Sequence, residues 1–471
     1  MKTKTLIPAA LFLIVACVCI FLQPYSLTHM QNCGLFLLTP DWFREVLAGP
    51  HPVSETVASF LVQFYDIPVV GGLIVAAIVT LTCLFLDTFL RRCRLPFHRL
   101  VSLIGALALW FFTSRLTSNQ LPVMVMLITA GLALLSMLIR KKDERPAARW
   151  ELPAALVLTL AVAALIGTDA RTVRQERLAK VEVNAVLHHW DKVLEVATPE
   201  NSEKDPRLMP YAFLALGEKG TLGDNVFKYP LTSPDDFAME GQNTLVANLF
   251  NSLLNECLHV PNEAIHQMFQ FSAHLPHGMS HLSLYQLIKY NLENGNYTLA
   301  RKYAEILKHN VKSHSVAKKV LKTYADAVDV ADTTGHSSAH SLVMTKDAQI
   351  NLAQMNTLGM STPNSVNRFL CYQLLYGDLE NFKRSMETLT WPKNKIPVNY
   401  QEGLLLSEID LVYWDIDDKV LKRFNAFTDA VMKGDNEAIR RTALGNYWGY
   451  YILIKDKELS GRDSDAEFPG S

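Results

Sequence analysis

The stretch from Trp150 to Gly167, WELPAALVLTLAVAALIG, separates two parts of the chain that differ in character. Glu151 is its one charged residue, and about 17–25 predominantly apolar residues in a helix cross a bilayer. The sequence before this stretch contains four further long apolar runs, whereas the sequence after it contains none long enough to span a bilayer. We therefore predict an N-terminal transmembrane domain, residues 1–167, and a C-terminal water-exposed domain, residues 168–471.

Five transmembrane helices are predicted, and the first of them is also similar to an export signal. Lys2 and Lys4 precede its apolar run, and residues 14–17 (IVAC) resemble the cleavage box of a bacterial lipoprotein. The residues after Cys17 stay apolar where a lipoprotein turns polar, so an uncleaved helix is favoured, and lipidation of Cys17 is left open. The predicted spans are residues 6–22, 69–90, 100–114, 121–139 and 150–167.

Short amphipathic blocks lie between the first two spans. Trp42, Phe43, Val46 and Leu47 follow helical spacing after Asp41, and a second block of this kind runs over residues 54–65. Both blocks are rich in aromatic residues, which are typical of the membrane–water interface. We predict interfacial helices within residues 40–66, on the outer face of the membrane.

Basic residues predict the orientation. The N-terminus and the 91–99 and 140–149 loops together carry 11 Lys and Arg residues, whereas the loops on the opposite side carry only Arg44 and Arg115. By the positive-inside rule, the first set lies in the cytoplasm. With five crossings, residues 168–471 are extracytoplasmic, which in a bacterium with two membranes means the periplasm.

The charge balance excludes one class of partner. Residues 1–166 hold 13 Lys and Arg against 8 Asp and Glu, and the remaining residues hold 32 against 38. The C-terminal part is therefore mildly acidic, whereas nucleic-acid binders concentrate basic surface. We expect no nucleic-acid partner.

The C-terminal part has the pattern of an all-α fold. Apolar residues recur at three- and four-residue spacing, Gly, Asn and Pro punctuate the joins, and convincing strand alternation is absent. The predicted helices are 171–196, 209–218, 243–258, 261–273, 282–294, 297–309, 315–327, 364–376, 379–388, 400–410, 419–432 and 436–454.

One helix pair resembles a tetratricopeptide hairpin. Leu284 and Ile288 lie on a first helix, Gly295-Asn296-Tyr297 form the turn, and Ala300 and Tyr303 lie on a second helix. The glycine permits the tight turn and the alanine lets the helices approach closely. Weaker echoes occur near residues 190, 379 and 435, at intervals that do not fit the 34-residue period. A non-repetitive helical bundle is the alternative.

The chain as a whole resembles an uncharacterised family of bacterial inner-membrane proteins with tetratricopeptide-like extracytoplasmic tails. The resemblance is carried by residues 59–65 (SFLVQFY) running into Pro68 and Gly71-Gly72, and by the segments 211–227 and 400–405. It covers most of the chain. The resemblance implies a location and an architecture, and it supplies no reaction.

A search for chemistry in the sequence is mostly negative. Phosphate-binding loops, zincin motifs and nucleophile elbows are absent. The pair His277 and His281 has the spacing of metal ligands, as does the pair at 336 and 340, but Pro and Gly interrupt both helices, so no metal site or cofactor is predicted. Cys257 and Cys371 are both placed outside, where a disulfide between them is open.

Two functions remain. The first is a membrane-anchored interaction platform, in which helical hairpins bind a protein or peptide and the membrane domain anchors them in the bilayer. The second is a membrane enzyme or transporter acting on a lipid-linked sugar or envelope precursor. Residues 23–68 resemble the first external loop of lipid-dependent glycosyltransferases, which makes Asp41, Glu45 and Asp66 the candidate catalytic residues. The absence of catalytic motifs favours the platform over the enzyme.

Overall fold

The computed structural model describes residues 2–116, 118–139, 150–239, 242–330, 345, 347–388, 395–407 and 414–454. Within these ranges the regular elements are α-helices and short 3-10 helices, with no strand, so the predicted all-α fold class is confirmed. The chain forms two compact units. Unit 1 comprises Met1–Val183 and Ser272–Thr333, and unit 2 comprises Asn184–Phe271 and Thr334–Ser471.

The first part of the chain contains the long apolar helices. In chain order the helices are α1 (Lys2–Leu22), α2 (Pro24–Cys33), α3 (Pro40–Ala48), α4 (Pro52–Val62), α5 (Pro68–Arg92), α6 (His98–Thr113), α7 (Gln120–Ser136), α8 (Glu151–Thr168) and α9 (Ala170–Val186).

Shorter helices make up the rest of the described chain. They are α10 (Trp190–Val196), α11 (Pro199–Lys204), α12 (Met209–Glu218), α13 (Leu222–Asn225), α14 (Leu245–Cys257), α15 (Pro261–Ala273), α16 (His281–Glu293), α17 (Tyr297–Leu307), α18 (His314–Thr323), α19 (Ala348–Thr357), α20 (Pro363–Leu375), α21 (Leu379–Thr388), α22 (Val398–Leu406), α23 (Asp418–Lys433), α24 (Asn436–Ala443) and a last helical stretch over residues 447–454.

A bundle of five helices forms one part of unit 1. Helix α1 packs against α5 and α8, and α5 also packs against α6 and α7. The approach of α1 to α5 is close at Gly72, where an added Cβ would lie 2.5 Å from Cγ1 of Ile20 and 3.4 Å from the carbonyl oxygen of Ala16. Small residues allow such contacts between apolar helices.

Three of these helices are long and apolar enough to cross a membrane, namely Thr5–Leu22, Val69–Arg92 and Glu151–Thr168. The spans predicted at 100–114 and 121–139 correspond to α6 and α7, which have 16 and 17 residues. At 1.5 Å per residue they extend about 24 and 26 Å, less than the hydrocarbon core of about 30 Å. The length criterion therefore supports three spans, and the count of five stays a prediction.

In the rest of unit 1, hydrogen bonds connect residues 34–38 with the distant segment 281–310. The Leu38 N–H donates to the His309 carbonyl and the His281 N–H donates to the Gly34 carbonyl, both at 2.9 Å. The Asn310 side chain donates to the Phe36 carbonyl at 3.0 Å. Residues 272–333 therefore pack with the N-terminal part of the chain. The boundary predicted at residue 167 marks a change in hydropathy, and it does not separate the two compact units.

The predicted helix hairpin is present as α16 and α17, which pack against each other. Ala300 is fully buried in this hairpin. Gly295 in the turn has φ +72°, and a Cβ there would lie 2.5 Å from Cγ2 of Val330, so the turn requires glycine. The tetratricopeptide character of the domain stays a prediction.

Local corrections to the helix boundaries have clear causes. The single helix predicted at 171–196 is broken, because His188 takes φ +56° and the chain restarts at α10. Helix α3 begins with Pro40, one residue before Asp41, and is capped by Thr39, whose side chain accepts a hydrogen bond from the Trp42 N–H. Helices α2, α11, α13 and α19 were not predicted. Residues 332–341 are rich in Thr, Gly, His and Ser, which predicts a flexible linker, and this segment lies outside the described residues.

Unit 2 is built around a core of aromatic side chains. Phe237 contacts Phe213 and Tyr372, with ring centroids 5.1 and 4.8 Å apart. Tyr211 packs edge-on against Phe250 at 5.2 Å. These contacts hold α12, α14 and α20 together beside the cavity described below.

Candidate functional site

A polar cavity of about 540 Å³ lies in unit 2, and α14, α15, α19 and α20 supply most of its wall. Helix α14 contributes Asn248, Asn251 and Asn255, whose three- and four-residue spacing places them on one helical face. The cavity is lined by Gln242, Asn243, Asn248, Asn251, Leu254, Asn255, Leu258, Glu263, His266, Gln267, Gln270, Thr345, Asn351, Leu352, Met355, Arg368 and Tyr372.

Arg368 is the most unusual member of this wall. Its side chain is 2 % exposed, and the atoms Nε and Nη2 have no hydrogen-bond partner within the described part of the chain. The guanidinium lies over the Phe237 ring, 5.4 Å from the centroid. Burial lowers the pKa of Arg368, because removing the guanidinium from water disfavours its charged form. A buried cation without a salt bridge is expensive, so it calls for a counter-ion.

The carboxylate of Glu218, which acts on Arg368, is already engaged. Glu218 acts on Arg368 electrostatically, but its Oε1 accepts a hydrogen bond of 2.6 Å from the Asn364 amide. No salt bridge to Arg368 is found among the described residues. The cation of the cavity wall is therefore left without a direct anionic partner.

The amides of the wall are only partly satisfied. The Asn251 amide donates to the Met239 carbonyl at 3.2 Å and the Asn255 amide donates to the Asn251 carbonyl at 2.8 Å. The Oδ1 atoms of both side chains are buried and have no donor in the described structure. Buried amide oxygens are normally hydrogen-bonded, so these two atoms add to the unmet polar capacity of the site.

A second group of side chains that could support a reaction lies in unit 1. Cys33 and His29 are one turn apart on α2, with Sγ and Nε2 separated by 3.6 Å, and His29 Nδ1 lies 2.9 Å from an oxygen of Glu182. Burial acts to lower the pKa of His29, but Glu182 and Cys33 reverse this effect and raise the pKa well above its usual value. A thiol, an imidazole and an orienting carboxylate in this order match the requirements of an activated nucleophile.

The three candidate catalytic residues of the alternative function do not converge on a cavity. Asp41 is 87 % exposed and pairs with Arg44 one turn along its helix. Glu45 lies 3.0 Å from His277, and Asp66 pairs with Lys312. Each carboxylate has its own partner, which is the arrangement of surface and interface ion pairs.

The pair of His277 and His281 and the pair of Cys257 and Cys371 do not form the sites considered from the sequence, and the histidine pair at 336 and 340 lies outside the described residues. His277 lies between Glu45 and Glu55, whereas His281 contacts the hydroxyl of Ser313 at 2.6 Å. Among the described residues, no group of three metal-ligating side chains is present. Cys257 and Cys371 are buried, and no disulfide joins them.

Sequence reasoning missed the cavity, although two signals for it exist. One signal is the set of three asparagines on one face of helix α14. The other is Arg368, which directly precedes the largely apolar run 369–375. Either signal indicates a polar group inside a helical core, but neither shows that α14 and α20 meet.

Comparisons with known proteins address the chain as a whole. The model of a family of unknown function, DUF6057, matches residues 1–170 and 116–455. Comparison with curated proteins and with solved structures gave no match. The predicted resemblance to an uncharacterised family is confirmed at that level, while its membrane location and tetratricopeptide-like tail stay predictions. Because the two matched ranges together cover most of the sequence, the chain belongs to DUF6057, a family of unknown function.

Proposed function

We propose that this protein is a membrane-anchored helical binding protein of the bacterial envelope. The five-helix bundle of unit 1 anchors the chain in the inner membrane, and unit 2 binds a protein or peptide partner. The observation that carries this proposal is the amide-lined cavity of unit 2. A concave site with a few convergent polar groups is the usual form of a ligand site.

The proposed topology has five crossings, with the N-terminus in the cytoplasm and residues 168–471 outside. Contacts at one end of the bundle support it. Arg92 donates to the Ile139 carbonyl at 2.9 Å, and Arg99 pairs with Glu151 at 2.9 Å. These contacts join the ends of α5, α6, α7 and α8 that the topology places together on the cytoplasmic side, where basic residues are expected.

The opposite end of the bundle supports the same arrangement. Arg115, after α6, pairs with Asp169 at the end of α8, and its carbonyl accepts from the Gln175 side chain at 3.1 Å. Helices α6 and α7 are short, and local thinning of the bilayer accommodates short spans at modest cost. Reporter fusions after Gly167 test this topology. Activity in the cytoplasm would contradict it.

A peptide-like partner fits the composition of the cavity. Asn and Gln side chains each offer donors and an acceptor, which matches the paired N–H and C=O groups of a peptide backbone. The wall contains six Asn or Gln side chains on α14, α15 and α19, while Glu263 and Arg368 are its carboxylate and guanidinium. The tetratricopeptide-like hairpin lies in unit 1, so the binding surface we propose is the cavity rather than that hairpin.

The alternative is a membrane enzyme or transporter acting on a lipid-linked sugar or envelope precursor. One observation favours an enzyme, namely the arrangement of Cys33, His29 and Glu182. Asp41, Glu45 and Asp66 give it less support than the sequence did, since each is held in an ion pair.

Photo-crosslinking in native membranes tests the proposal. A photoreactive amino acid replaces Gln267, which lines the cavity, or Lys433, which is exposed and does not line it. We expect a discrete protein adduct from position 267 and none of the same size from position 433. The same adducts from both positions would contradict the proposal, and a glycolipid adduct from position 267 would favour the enzyme.

A further inference from the structure

The wall of the cavity of unit 2 contains a cation that has no salt-bridge partner among the described residues. We propose that the ligand presents a carboxylate to Arg368 and amide groups to the asparagines of the same cavity wall, so that the ligand is an acidic peptide. This inference rests on the proposed function and specifies its ligand.

The guanidinium of Arg368 is buried without an anionic partner in the described part of the chain. Arg368 is 2 % exposed, lines the cavity, and has neither a salt bridge nor a partner for Nε and Nη2 in the described structure. Natural proteins rarely bury an unpaired cation, because the loss of hydration is not repaid. Residues that break this rule are expected at functional sites, where a ligand supplies the missing partner.

The planar edge of the Arg368 guanidinium determines the kind of anion that the site can bind. Nε and Nη2 form the edge of a guanidinium that accepts a carboxylate side-on, through two parallel hydrogen bonds. Both atoms are shielded from water, so this pairing requires the side chain to turn toward the cavity that it lines. The described lining residues include one Arg, one His and no Lys, and they also include Glu263. A single negative charge suits this balance, whereas a phosphate dianion would meet too little positive charge.

Two asparagines of the same wall have unmet acceptors. The Oδ1 atoms of Asn251 and Asn255 have no donor among the described residues, so each can accept an N–H group from a ligand. A carboxylate close to several N–H donors is the chemistry of a peptide. Either the C-terminal carboxylate or an acidic side chain supplies it, and the two sources are separated experimentally.

The test measures binding of three N-acetylated tripeptides to the full-length protein in nanodiscs. They are Ala-Ala-Ala with a free carboxyl terminus, Ala-Glu-Ala with an amidated terminus, and Ala-Ala-Ala with an amidated terminus. We expect one of the acidic peptides to bind at least about tenfold more tightly than the neutral peptide. The tighter of the two identifies the terminal or the side-chain carboxylate as the source.

Variants of Arg368 test whether this residue causes the preference for the acidic peptide. Arg368→Met is expected to abolish the preference for the acidic peptide, and Arg368→Lys to retain only part of it, because an ammonium lacks the planar fork. Near-ultraviolet circular dichroism confirms that each variant is folded. Arg368→Met that keeps the full preference would overturn the inference. If Arg368→Met fails to fold, Arg368→Lys decides, since an unchanged preference in that variant would also overturn it.

Failure of this inference is distinguishable from failure of the proposed function. One outcome is that acidic and neutral peptides bind equally and that Asn251→Leu abolishes this binding. It would contradict the claim that the ligand presents a carboxylate, and it would leave the binding function supported. Absence of binding by all three peptides overturns the acidic-peptide ligand. If position 267 also gives no protein adduct in membranes, the binding function itself fails.

Discussion

Two buried charges in unit 2 have opposite surroundings. Glu402 is 0 % exposed, and its carboxylate accepts from the Tyr447 N–H at 2.9 Å and from Arg423 at 3.1 Å. Arg368 is almost as deeply buried, and its Nε and Nη2 have no partner in the described structure. The hydrogen bonds that Glu402 accepts from two other elements support the fold, although burial disfavours its ionised form. A charge that the protein leaves unsatisfied costs stability, so its retention requires another explanation.

The largest expected effect comes from removing the hydrogen-bonded carboxylate of Glu402. Replacing Glu402 with Ala removes the acceptor of the Tyr447 N–H and leaves both that group and Arg423 without their partner. We expect a loss of about 3 kcal/mol in the free energy of unfolding. Chemical denaturation of the full-length protein in detergent measures it. Glu437→Ala on exposed α24 is the control and should change little, and equal losses in the two variants would show that Glu402 is not a structural anchor.

The raised pKa of Glu402 makes the stability of the fold depend on pH. Burial raises the pKa of Glu402 to about 7, although the hydrogen bonds from Tyr447 and Arg423 oppose the change. The folded state therefore binds this proton more tightly than the unfolded state, whose carboxyl titrates near 4.3. The stabilisation from protonating Glu402 is complete below the unfolded pKa and is lost as the pH rises to about 7.

The test compares the pH profiles of wild type and Glu402→Gln. Between about pH 5 and pH 7, we expect wild type to lose about 2 kcal/mol of stability relative to the variant, whose side chain does not titrate. Parallel profiles over this range would mean that the pKa of Glu402 does not differ between the folded and unfolded states.

The next effect concerns packing in unit 1, where no buried charge is involved. Ala300 is fully buried between α16 and α17, whereas Lys302 is exposed. Ala300→Leu inserts a larger side chain into a close contact and should cost about 1–3 kcal/mol. Because residues 272–333 pack with the N-terminal part of the chain, the experiment requires the full-length protein rather than residues 168–471 alone. Equal melting temperatures for Ala300→Leu and Lys302→Leu would contradict close packing of this hairpin.

The smallest expected change is in reactivity and leaves the fold intact. If His29 accepts the proton of Cys33, iodoacetamide should alkylate Cys33 about tenfold more slowly in His29→Gln than in wild type. Exposed Cys93 in the same sample provides the internal reference. Mass spectrometry of both peptides gives the two rates. An unchanged ratio between them would show that His29 does not activate the thiol.

Local features of the fold were predictable from the sequence because their causes are local. The apolar runs specify the long helices, and Gly295 marks the turn of the hairpin through its left-handed conformation. The organisation into units was not predictable. It depends on backbone hydrogen bonds such as that from His281 to Gly34, which leave no trace in the side-chain pattern.

The candidate site illustrates the same limit. Asn248, Asn251 and Asn255 share a helical face that can be read from their spacing, and Arg368 stands out beside an apolar run. Their meeting in one cavity depends on tertiary packing of helices that are more than 100 residues apart in the sequence. The acidic residues favoured from the sequence attracted attention because they are ionisable, and the structure gives each of them a partner.

The most direct test of the account is the stability of Arg368→Met in the absence of any ligand. Replacing an unpaired buried cation with an apolar side chain of similar size is neutral or stabilising. We therefore predict that the free energy of unfolding of Arg368→Met, measured by chemical denaturation of the full-length protein, equals or exceeds that of wild type. A loss comparable to that of Glu402→Ala would show that Arg368 supports the fold, and it would contradict the claim that this residue is kept for a ligand.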